Sequence, residues 1–110
     1  MKRPPSLIQY HLPDNALAML TEAGFRPLER GEYRAPGNWR LSLCVYGFIA
    51  ADKSGTLYCY CARLIDADNV VHEQQRLPLE IAPLRAFLHE FGFPIDAVLR
   101  TKRLNALLAP

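Results

Sequence analysis

Apolar positions along this chain recur first at helical spacing, then in two long, nearly continuous runs, then at helical spacing again. From Asp14 to Ala23, the residues Ala16, Leu17, Leu20 and Ala23 share one side of a helix turning about 100° per residue. Asp14 or Asn15 is placed to cap its first turn, and Gly24 supplies a left-handed residue to end it, with Phe25 packing back over the last turn. Ahead of this helix, residues 1–11 show no period and Pro4-Pro5 blocks helix, which predicts an extended arm.

From Trp39 to Asp66 the pattern becomes that of strands. Trp39 to Ala50 and Thr56 to Asp66 read as the two arms of a long hairpin, closed by Asp52-Lys53-Ser54-Gly55 as a type I turn ending in a glycine of positive φ. A short edge strand, Glu32 to Ala35, precedes them across the turn Pro36-Gly37-Asn38. A more polar strand, Val70 to Arg76, follows the loop Asp68-Asn69, and Leu77-Pro78-Leu79 extends it or adds a fourth strand at an edge. Helical spacing returns with Ile81, Leu84, Phe87, Leu88 and Phe91, Pro83 fitting the first turn and Gly92 ending the pattern. A last helix runs from Asp96 to Leu108, with Ile95, Val98 and Leu99 on one side and Leu104, Leu107 and Leu108 nearly opposite. The fold class predicted is α+β: an antiparallel sheet of three to four strands built on a long hairpin, one N-terminal helix and two C-terminal helices, in the order α-β-β-β-(β)-α-α. Residues 12–110 are read as a single domain behind the arm 1–11.

Neither arm of the hairpin alternates plainly between apolar and polar, so both faces of the sheet have something to bury. If Asp52 stands opposite Thr56, one face gathers Leu41, Leu43, Val45, Ile49, Cys59, Cys61 and Ile65. The other then gathers Cys44, Tyr46, Phe48, Tyr58, Tyr60 and Leu64, with Arg40 and Ser42 at one end. A register shifted by one residue would instead place all three cysteines together. The turn chemistry favours the first register, which makes the aromatic face the candidate functional surface.

Half the residues are apolar and 22% are charged, the composition of a globular chain. A chain of 110 residues buries enough surface to fold without disulfide or metal. No apolar run approaches the roughly 20 residues needed to span a bilayer, and Met1-Lys2-Arg3-Pro4-Pro5 leads into no signal-like segment. With an odd number of cysteines, three, this predicts a cytoplasmic protein with free thiols and no membrane association. The net charge of +2 does not by itself imply nucleic acid, although Arg100, Lys102 and Arg103 make the C-terminal end the most positive segment.

Cys59-x-Cys61 puts two thiols on one side of a strand, and Cys44, His72 or His89 would be needed to complete a zinc site. Zinc sites commonly use paired two-residue spacings, which are absent, so no metal or cofactor is expected. Mid-strand cysteines between tyrosines lack the helix N-terminus or basic partner that activates a thiol. Asp66 and Asp68 flank a turn, where aspartates bond backbone amides. No phosphate-cradling loop, nucleophile elbow or zinc-protease helix is present, so nothing proposes an enzyme.

From Asn38 to Gly92, with Asp52-Lys53-Ser54-Gly55 as the first hairpin turn and Arg76-Leu77-Pro78-Leu79 before the helix, several strands lead into a helix. That element order resembles the single-stranded-DNA-binding transcriptional coactivators and the plant Whirly proteins. The resemblance is one of order alone and carries over no residue. The function expected is a small non-enzymatic protein-binding module (inhibitor, adaptor or immunity-type), docking a protein partner or a second copy. Its anchors would be Tyr46, Phe48, Tyr58 and Tyr60, with Arg40 at the rim, and Leu104, Leu107 and Leu108 on the last helix. The alternative is single-stranded nucleic-acid binding through Arg40, Tyr58, Tyr60, Arg100, Lys102 and Arg103, where bases stack on rings and arginines meet phosphates.

Overall fold

The computed structural model describes residues 8–49 and 52–108. In chain order these form β1 (Ile8–Gln9), α1 (Asp14–Glu22), β2 (Arg26–Pro27), β3 (Glu32–Ala35), β4 (Trp39–Ile49), β5 (Thr56–Ile65), β6 (Val71–Pro78), α2 (Ile81–Glu90) and α3 (Ile95–Leu108). The fold is α+β with an antiparallel sheet and three helices, but the sheet has six strands where three to four were expected. The two additions are both two-residue strands, too short to show a period. β1 pairs with β4 at the end of the predicted arm, whose residues 1–7, with Lys2, Arg3 and Pro4-Pro5, lie outside the described residues. β2 pairs with β3, so Glu32–Ala35 is an inner strand and not the expected edge.

Strand order is β2-β3-β4-β5-β6, with β1 continuing the β3 side of β4. The hairpin exists, but its register is not the one that the turn suggested. Ile49, not Asp52, stands opposite Thr56, and the pairing runs unbroken to Arg40 opposite Ile65. The shift is odd, so it turns every β5 side chain to the other face relative to β4. Leu41, Leu43 and Val45 are therefore backed by Leu64, Ala62 and Tyr60, while all three cysteines share the opposite face. Packing explains the outcome: Tyr60 is 1% exposed, and its register neighbours Val45 and Leu77 are buried with it. Burial of a complete row of large side chains outweighs the preferences of a short exposed turn. The turn itself has Lys53, not Gly55, at positive φ, and the Asp52 carboxylate accepts a 3.0 Å bond from the Ser54 amide.

β6 carries a bulge. Tyr60 pairs with Leu77 but Ala62 with Gln74, leaving one extra residue on β6. Arg76, at φ 57°, sits there. Without the extra residue Leu77 would face outward. The bulge turns it into the core, where it is buried, and brings Arg76 outward.

The helices cover the inward face. Ala16, Met19 and Leu20 of α1, Leu84, Phe87 and Leu88 of α2, and Ile95 and Leu99 of α3 join the sheet residues in one core cluster. Helix α1 begins at Asp14 behind Pro13, which has no side-chain group to cap it, and the expected help from Asn15 comes inside the first turn, where its Oδ1 accepts from the free Ala16 amide at 2.8 Å. It ends as predicted, with the Phe25 amide bonded to the Leu20 carbonyl and Phe25 buried. Arg85 of α2 bonds Asp96 at the start of α3, and Arg103 bonds Glu22 of α1 at 2.9 Å. Beyond Leu99 every described α3 residue is exposed.

Candidate functional site

The outward sheet face is the surface that the helices leave uncovered. Among the outward residues of β4 and β5, Cys59 alone is buried. The register lays the face out in rows. At one end Ile8, Tyr46, Cys59 and Pro78 form a line across four strands, and Phe48 pairs with Leu57 in the next row. Leu57 is 51% exposed, and Tyr46 and Ile8 are exposed as well. The Arg76 guanidinium lies 4.8 Å above the centre of the Phe48 ring, a cation–π contact. This end is apolar with a single positive charge over it.

The other end is polar. Ser42, Arg63 and Glu73 share a row, and Arg40, Ile65 and Val71 the next. Arg63 bonds Glu73 at 2.7 Å, and Arg40 lies 3.9 Å from Glu32, so most charge there is compensated across strands. Between the two ends, Cys44 stands opposite Cys61 at the floor of an open hollow of about 300 Å³. Tyr10 walls the hollow, lying so close over Gly31 that a Cβ at that glycine would meet its ring at 2.5 Å. Arg30 stands 5.6 Å from the Tyr10 ring centre.

The predicted aromatic face is thus divided. Tyr46 and Phe48 are on the outward face with Arg40, as expected. Tyr58 and Tyr60 belong to the inward side, because the register is shifted. Burial pushes the Tyr60 hydroxyl pKa up, and a ring 1% exposed offers no surface to a partner or a base. Tyr58 is exposed because the hairpin runs past the helices, and it lines a groove with Leu12, Pro13 and Leu79 beside the start of α1. Arg40 and Tyr58 therefore lie on opposite sides of the sheet. Leu104, Leu107 and Leu108 are exposed at 53%, 82% and 74% on a continuous helix. Of the basic run beside them, Arg103 is committed to Glu22, while Arg100 and Lys102 are exposed.

Sequence reasoning missed Ile8, Leu57 and Arg76 on this face. Gly47, opposite Tyr58, is the one signal that could have placed Leu57, since a glycine in mid-strand marks a close approach from the neighbouring strand; nothing comparable marks Ile8 or Arg76. Among the described residues no three His, Cys, Asp or Glu side chains gather to hold a metal ion, and no helix is long and apolar enough to cross a membrane. Asp66 holds the β5–β6 turn, its carboxylate accepting from the amides of Asp68 and Val70 at 2.9 Å each and facing His72 Nε2 at 3.0 Å.

No family model, curated protein or solved structure matches the chain.

Proposed function

We propose that this protein is a small non-enzymatic protein-binding module that docks a protein partner, or a second copy of itself, on the outward face of its sheet. The observation that carries the reading is the contiguous apolar patch of two neighbouring rows, exposed Ile8, Tyr46 and Leu57 with half-buried Phe48, on a face that the helices leave uncovered. Large amphipathic side chains surrounded by charge are the composition of a docking patch: the rings and Leu57 supply desolvated area, and Arg76 and Arg40 supply the rim. The exposed leucines of α3 offer a second contact. We read the compartment as the cytoplasm, in line with the odd number of cysteines.

Paired variants test it. Tyr46→Ala with Leu57→Ala should leave the fold intact while abolishing either self-association, measured by sedimentation, or retention of a specific partner that the wild-type protein captures. Identical association by wild-type and variant protein would sink the reading. The nucleic-acid alternative separates by salt: binding to single-stranded oligonucleotides that weakens steeply as salt rises would favour it over protein docking. The placement of Tyr60 in the core and Tyr58 away from Arg40 removes the stacking platform on which that alternative drew.

A further inference from the structure

We propose that Cys44 and Cys61 form a redox-active dithiol, closing to a cross-strand disulfide by exchange with a low-molecular-weight disulfide. The two residues are direct register partners on β4 and β5 and point to the same, outward side. Both are free and half-buried, and both line the open hollow with Tyr10, Arg30, Ser42 and Arg63. The Leu43 amide donates at 2.9 Å to the Gly31 carbonyl, away from β5, so the next residue, Cys44, turns its backbone toward β5. In such a hydrogen-bonded pair the Cα atoms are about 5.5 Å apart, within the roughly 4.4–6.8 Å that a disulfide bridges. Closure has to draw the two Cβ atoms in from the roughly 5.5 Å of a directly opposite hydrogen-bonded pair to the roughly 3.5–4.5 Å of a disulfide. This local pinching of β4 and β5 leaves the bond readily reducible.

The electron balance is that of thiol–disulfide exchange. One cysteine loses its proton and attacks a sulfur of the small disulfide, giving a mixed disulfide and one released thiolate. The second cysteine, deprotonated in turn, attacks the protein-side sulfur and expels the second small thiolate. The protein dithiol is oxidised by two electrons and the small disulfide is reduced to two thiols. Burial, and then the neighbouring Cys61, push the Cys44 thiol upward in pKa, so closure accelerates as pH rises. Cys59 is excluded from the exchange: it is 5% exposed and donates its S–H to the Tyr46 carbonyl at 3.7 Å. The closed bond would pin β4 to β5 at the floor of the hollow, between the apolar and polar ends of the outward face. This inference is independent of the docking reading.

The test uses the full chain, reduced, under native conditions, with oxidised glutathione as the probe and intact-mass and peptide mapping as the readout. The expected product is two hydrogens lighter than the reduced protein, links Cys44 to Cys61, leaves Cys59 unreacted, and forms faster at about pH 8.5 than at about pH 7 because the thiolate is the nucleophile. Cys44→Ser should block closure and leave glutathione held on Cys61. Three results would overturn the proposal: a wild-type protein that accumulates a lasting glutathione adduct without closing, a linkage that includes Cys59, or a protein that stays reduced where the same chain in urea oxidises.

Discussion

The ring of Tyr58 lies across the backbone of Gly47, its register partner, so closely that a Cβ on the glycine would stand 2.9 Å from Cε1 of the ring. Thr56 closes the other side, its methyl 3.1 Å from the same position. The glycine is therefore part of how the hairpin seats a tyrosine beyond the cover of the helices. Gly47→Ala should displace the ring and cost about 1 kcal/mol, the low end of an overpacking penalty, since Tyr58 is exposed and has room to rotate. In a Tyr58→Ala background the same substitution should cost less, because only the exposed Thr56 methyl is left to give way and alanine is less flexible than glycine in the unfolded chain. A double-mutant cycle by urea unfolding measures the coupling. Equal effects in both backgrounds would show that the ring does not press on Gly47.

The elements were largely legible and the faces were not. Helical spacing found α1, α2 and α3 to within two residues at each end, since three long amphipathic patterns leave little choice of period. The hairpin was legible too. Its register was not, because both faces of β4 and β5 carry apolar residues and neither parity is penalised by sequence alone. The exposed turn 52–55 then decided the reading, although the burial of Tyr60, Ala62 and Leu64 carries far more free energy. The bulge at Arg76 was equally invisible: one residue out of phase in an eight-residue strand looks like polar noise until Leu77 is seen in the core.

The register makes a sharp contrast between two tyrosines. Tyr60 is enclosed between Val45 and Leu77, whereas Tyr46 is exposed on the other face. Tyr60→Ala should cost about 3–5 kcal/mol, the range for removing a buried aromatic ring. Tyr46→Ala should stay within about 0.5 kcal/mol, as exposed substitutions do. Chemical denaturation of the two variants checks this directly. Comparable losses would contradict the register.

Asp66 makes stability depend on acid. Its pKa is lowered first by the hydrogen bond with His72, then by the Val70 amide, with the Asp68 amide adding to it. A carboxyl whose folded pKa lies below its unfolded value stabilises the fold above the unfolded value, near 4, and loses that contribution as pH falls through the folded one. Wild-type protein should therefore lose stability below about pH 4 more steeply than Asp66→Asn, which has no proton to take up there. The variant should still retain some acid sensitivity, because Glu22, Asp52 and Asp96 are also held low by Arg103, Ser54 and Arg85 respectively. Urea midpoints across an acid series test the difference. Parallel curves would mean that the Asp66–His72 contact does not form in solution.

The last turns of α3 contribute surface, not core. Ile95 and Leu99 bury one side of the helix, and five residues on, Leu104 has rotated about 140° away from Leu99. Leu107 and Leu108 follow it into solvent. Apolar area stabilises only when it leaves water, at roughly 25 cal/mol per Å², so these leucines add little to the isolated fold. Arg103, bonded to Glu22, instead ties this part of the helix to α1. Replacing Leu104, Leu107 and Leu108 together by glutamine, whose helix propensity is close to that of leucine, should change stability by less than about 1 kcal/mol. If this end of α3 serves as a second contact for a partner or another copy, the same variant should sediment as a smaller species or lose the partner while its helical signal by circular dichroism is unchanged. A loss of several kcal/mol would show that the leucines pack on the body of the protein. An unchanged association state would remove α3 from the docking surface and leave the sheet face alone.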